Sequence, residues 1–84
     1  MKIEPSPELR LQRILVAAQP LSAWRFARDV GNYLHPGIDY RGAGKRAVIR
    51  SLLLGSELHV HPIPKPVPER VITRRIREVL QGAR

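Results

Sequence analysis

Four prolines at every second position, Pro62, Pro64, Pro66 and Pro68, constrain this chain more than any other feature of its sequence. Proline fixes φ and lacks an N–H, so such a run can be neither a helix nor a central strand. It reads as a stiff extended arm over 62–68. The arm divides the 84 residues into a body that must build its own core and a terminal segment long enough for a single helix. A chain of this length is one domain, and it buries only ~60–65% of the surface that its unfolded form exposes. Cysteine is absent, so neither a disulfide nor a thiolate metal site can reinforce that small core. Apolar residues at 43% and charged residues at 26% are nevertheless the proportions of a globular chain.

Within the body, apolar spacing predicts three helices. Ser6 can cap the first, Pro7 suits its first position, and Glu8 faces the positive end of its dipole. Leu11, Ile14, Leu15 and Ala18 then recur at helical spacing, with Arg10, Arg13 and Ala17 on the other side. Gln19-Pro20 ends that helix, because the residue before proline avoids the helical region. Ser22 can cap a second helix, with Leu21 stapled onto Phe26 and with Phe26, Ala27 and Val30 on one face. Gly31 is expected to supply a left-handed stop.

The stretch 32–42 is the least regular. His35-Pro36-Gly37 is a turn signal, while Tyr33, Leu34, Ile38 and Tyr40 are expected to pack back onto the body. A third helix fits 43–54, with Ile49, Leu52 and Leu53 inside, Lys45, Arg46 and Arg50 outside, and Gly55 at its end. Residues 57–63 alternate, Leu58 and Val60 against His59 and His61, as a half-buried strand does. Beyond the arm, a helix over 69–82 carries Ile72, Ile76, Val79 and Leu80 on one stripe and Arg70, Arg74 and Arg77 on another. The expected fold class is mostly α with a small β element. It is a single small domain, 1–84, with a core over 6–61, the arm over 62–68 and the C-terminal helix.

Charge narrows the partners. Fifteen Lys+Arg against seven Asp+Glu give +8, and twelve of the fifteen are arginine. Residues 43–84 hold nine basic groups and three acidic ones, so the excess is concentrated in the second half. Such a balance favours a polyanionic partner. The longest uncharged apolar runs, Ile14 to Ala18 and Leu52 to Leu54, fall far short of the roughly 20 residues of a membrane span. Glu4, Pro5 and Pro7 stand where a signal peptide would place its apolar core, so a cytoplasmic location is expected.

The order short helix, capped short helix, loop, basic helix and strand is the layout of a helix-turn-helix with a wing. LSAWRFARDVG at 21–31 resembles the second helix of the winged-helix superfamily, whose bacterial members often show a capping Ser, a buried Ala, an apolar residue and Gly, here Ser22, Ala27, Val30 and Gly31. KRAVIRSLLLGSELHV resembles the recognition helix running into the first wing strand. The likeness covers about residues 9–61. The chain departs from the pattern in its eleven-residue loop at 32–42 and in the prolines that stand where a second wing strand belongs.

The resemblance implies that the third helix enters a major groove. Arginine forks match guanine edges and phosphate oxygens, so Arg46 and Arg50 are expected on bases or phosphates. Arg41, Lys45, Arg70, Arg74 and Arg77 are expected on the backbone. Gly42 and Gly44 let N–H groups at the helix start approach phosphate. The other reading of these cations is a solvated face. Ile72, Ile76, Val79 and Leu80 either cover the core or form a two-fold dimer contact. Trp24 is expected as core cover, with stacking on a base or partner as the alternative.

Other chemistries find little support. GxxxxGK[ST] would need Gly where Asp39 stands and Ser or Thr where Arg46 stands. His59 and His61 share one strand face but lack a third ligand of suitable spacing, with only His35 remaining. Asp29 and Asp39 form no carboxylate pair for acid–base work. The expected protein is therefore no enzyme, has no cofactor, metal or small-molecule substrate, and binds double-stranded DNA as a dimeric transcriptional or mobile-element regulator. The rival is a phage- or mobile-element-type inhibitor or adaptor that engages an acidic protein or nucleoprotein. An RNA-binding role ranks below both, for want of aromatic residues paired on a strand.

Overall fold

The computed structural model describes residues 6–55 and 65–82. Among the described residues, four helices pack into one all-α domain. The first, α1, spans Pro7–Ala17. The second, α2, is a continuous run of an α-helical turn at Ala23–Phe26, a π-helical turn at Ala27–Gly31 and a last turn at Asn32–Leu34. The third and fourth are α3, Lys45–Leu54, and α4, Glu69–Leu80. The expected strand at 57–63, its His59 and His61, and the first part of the arm lie outside the described residues.

Both expected caps form. Ser6 Oγ accepts from Leu9 N at 3.2 Å, and Ser22 Oγ accepts from Arg25 N at 3.1 Å. Each satisfies one of the N–H groups that a helix start leaves without an internal partner. Leu11 and Ile14 of α1 meet Phe26 and Val30 of α2, Val48, Ile49 and Leu52 of α3, and Ile72 and Ile76 of α4 in a single core. Leu21, the expected staple residue, is buried in the same core. The α1 helix packs against both α3 and α4, and the π turn of α2 does the same from the other side. Ala17 and Arg10 do not stand clear of the body as their spacing suggests. Ala17 packs against the core, and the Arg10 Nε is buried with no hydrogen-bond partner among the described residues.

Gly31 does not stop α2. Its φ of −61° and ψ of −57° are right-handed, and the helix runs on to Leu34. Glycine suits that position by packing: a Cβ would lie 3.0 Å from the Tyr40 ring and from Val48 Cγ1, so these side chains would have to give way by a few tenths of an ångström. The irregular loop therefore begins at His35, three residues later than expected. It turns at Gly37, whose φ is +93°, and returns Tyr40 to the core. The Tyr40 and Ser51 hydroxyls are buried beside each other, and neither has a hydrogen-bond partner of good geometry among the described residues. Burial pushes the Tyr40 phenol above its ordinary value, and the nearby Ser51 hydroxyl offsets part of that rise.

Gly55 ends α3 with a left-handed φ of +70°. The end of the proline arm is tied to the body at two points. Val67 N donates to Leu52 O at 2.7 Å, and His35 Nε2 donates to Lys65 O at 2.6 Å. The first bond satisfies one of the α3 carbonyls that the helix itself leaves free. At the start of α4, Glu69 accepts from Arg13 Nε and Nη2, both at 3.0 Å, which fixes α4 to α1. Among the described residues no helix is long and apolar enough to cross a membrane.

Candidate nucleic-acid interface

The basic side chains separate into those held by the fold and those left over. Glu8 pairs with Arg50, Asp29 with Arg25 and Arg28, Asp39 with Arg41, Glu69 with Arg13, and Glu78 with Arg75. Every carboxylate among the described residues is thus engaged by an arginine. Arg46, Arg70, Arg74 and Arg77 are exposed and have no carboxylate partner among the described residues.

On α3, the expected cations have unequal roles. Lys45 turns back onto the body, where its Nζ donates to Leu21 O at 2.9 Å and to Ala18 O at 3.3 Å. It closes the C-terminal end of α1, where the helix dipole favours a cation. Arg50 leans toward Glu8 at 3.7 Å, an exposed pair of little strength. Arg46 stands free. The inward side of α3 is broad, since Val48, Ile49, Ser51, Leu52 and Leu53 are all buried. What faces water is therefore a narrow stripe of Arg46 and Arg50, one turn apart.

On α4, the stripe of Ile72, Ile76 and Val79 is buried against the chain's own α1 and α2, so these residues complete the intramolecular core. Leu80 is the exposed member of the four residues expected at a dimer contact. The opposite side presents Arg70, Arg74 and Arg77. Arg75, which the sequence pattern did not single out, has a different task. Its Nε donates to the Asp29 carbonyl in the π turn at 3.0 Å, and its guanidinium lies 3.7 Å from the centre of the Tyr33 ring. Arg25 makes the reverse crossing, from Nη2 to Val79 O at 3.4 Å.

A second surface lies between α2 and the loop that leads into α3. It is an open groove of about 530 Å³, walled by Trp24 and Arg28 on one side and by Ile38 and Arg41 on the other. Trp24 is 64% exposed, so the core role expected for it is not its role. The Arg28 guanidinium sits 4.2 Å from its ring centre. The Trp24–Arg28 spacing of one helical turn is the sequence signal that marks this arrangement. Arg28 also donates to Asp29 at 2.7 and 3.1 Å, and this bond, with that from Arg25, holds the Asp29 carboxyl below its ordinary value. Arg41 forks onto Asp39, with Nε and Nη2 each at 3.0 Å, while its side chain stays 88% exposed.

Among the described residues no cluster of metal-ligating side chains forms. No family model, curated protein or solved structure matches this chain.

Proposed function

We propose that the protein is a small basic regulator that binds double-stranded DNA, chiefly through the phosphate backbone. The observation that carries this reading is the pattern of pairing. The fold engages every described carboxylate, and the exposed arginines left without a carboxylate partner among the described residues, Arg70, Arg74 and Arg77 on α4 and Arg46 on α3, stand on solvent-facing helix sides. Between Arg70 and Arg77 the helix rises about 10 Å at ~1.5 Å per residue. That span covers several phosphates of one strand, spaced by ~3.4 Å of duplex axis each. Arginine suits the task because its planar fork meets phosphate oxygens in pairs.

In a helix-turn-helix assignment α2 supports and α3 reads the major groove. Only Arg46 and Arg50 project from the solvent side of α3, so base-edge readout is narrow and sequence preference weak. Affinity then comes mainly from released counterions and falls steeply with salt.

Fluorescence anisotropy with a labelled random duplex at two salt concentrations tests this. Salt-sensitive binding is expected in the parent protein, and a large loss in the Arg70→Ala/Arg74→Ala/Arg77→Ala variant. No binding at low salt, or an unchanged triple variant, sinks the reading.

A further inference from the structure

The groove between α2 and the 38–44 loop has a chemistry unlike that of the arginine stripe, and the nucleic-acid reading leaves it without a role. Its floor is small and aliphatic, with Ala23, Ala27 and Ala43 between the walls, and Gly42 and Gly44 keep the loop side free of bulk. An exposed tryptophan forms one wall. Two guanidinium groups, Arg28 and Arg41, line it against a single carboxylate, Asp39. An indole standing open to water beside an apolar trough is an anchor surface of the kind that dominates protein interfaces.

We infer that this groove docks a short acidic segment of a partner protein, with an apolar side chain seated against Trp24 and the alanine floor and with neighbouring carboxylates on Arg28 and Arg41. The charge of the rim argues for the carboxylates. Arg28 and Arg41 already hold Asp29 and Asp39 in forked bonds, so their guanidinium groups are set in the orientation that receives a carboxylate. These pairs are exposed, and exposed pairs exchange partners at little cost. Arg41 is almost wholly accessible. A nucleobase is the less fitting occupant, because one face of the indole is already covered by Arg28. The groove volume, about 530 Å³, lies within the roughly 300–1,000 Å³ of small binding sites. This inference rests on the groove alone and stands apart from the DNA reading.

Trp24 is the only tryptophan of the chain, so its emission reports directly on the site. The probe is a random dodecapeptide library displayed on phage, selected on the full chain and counter-selected on Ala23→Arg. Ala23 is exposed at the groove, so this change blocks the trough without touching the core. Enriched peptides are expected to place an aliphatic or aromatic residue beside Asp or Glu and to shift Trp24 emission to shorter wavelength. Both Ala23→Arg and Arg41→Glu should weaken a recovered peptide by roughly tenfold or more. The Arg70→Ala/Arg74→Ala/Arg77→Ala variant should bind it as the parent does, which separates this site from the DNA surface. Three results each overturn the inference: no enrichment over the blocked variant, enriched peptides without carboxylates, or a Trp24 response to oligothymidylate but not to the peptides.

Discussion

The α3 and α4 helices carry similar basic residues and use them differently. The α3 helix is central, buried over most of its circumference, and two of its three cations are drawn back toward the body: Lys45 closes the end of α1 and Arg50 leans on Glu8. The α4 helix lies across the outside of the core, buries one stripe, and leaves Arg70, Arg74 and Arg77 without carboxylate partners among the described residues. The position of a helix in the packing, more than its composition, decides whether a guanidinium is a structural clamp or a surface for a partner. Arg75 makes the same point within one helix, since its neighbour Arg74 faces water while it binds the π turn.

The strongest way to break the comparison is to strip α4. Arg70→Ala/Arg74→Ala/Arg77→Ala should lower affinity for duplex DNA on the order of a hundredfold and make the salt slope shallower by roughly two to three units. If the slope is unchanged, α4 is not the phosphate-facing helix. Removing the clamp on α3 should act on the fold instead. Lys45→Met leaves two carbonyls without their ammonium, and the expected loss is about 1–2 kcal/mol, seen as a lower melting temperature with DNA affinity reduced only slightly. The two arginines on the solvent side of α3 should differ in the same sense. Arg46→Ala is expected to weaken DNA binding about fivefold and Arg50→Ala less than about twofold, since Arg50 has a competing carboxylate.

The smallest effect concerns pH. Arg28, and secondarily Arg25, hold the Asp29 carboxyl below its ordinary value. A carboxylate so held favours the folded state above the ordinary, unfolded-state value of about 3.9 and loses that contribution as the pH falls through the lowered one. Asp29→Asn should therefore melt a few degrees below the parent at neutral pH. Thermal denaturation at successively lower pH should show the two curves converging as the pH falls through the lowered value.

Much of the fold was legible because its signals are local. Ser6 with Pro7, and Ser22 before an apolar face, announce helix starts from side chains within a few residues of the groups they cap. The inner face of α3 and the apolar stripe of α4 follow from spacing alone. Gly31 misled because its cause is distant. A glycine that ends a helix and one that admits a tyrosine ring look alike in sequence, and only the return of Tyr40 from the loop distinguishes them. Trp24 misled for a related reason, since a large aromatic residue in a small chain is normally core. The candidate site was half legible. The arginines could be counted, but which of them would find a carboxylate depended on contacts such as Arg13 with Glu69, between residues far apart in the chain.

The two crossed guanidinium bonds, Arg25 to the Val79 carbonyl and Arg75 to the Asp29 carbonyl, have a mechanical result. They join the helix that walls the groove to the back of the arginine-bearing helix, so the two surfaces share one set of contacts. Any change that binding at one surface makes in the affinity of the other is, by thermodynamic linkage, matched by an equal change in the opposite direction of influence.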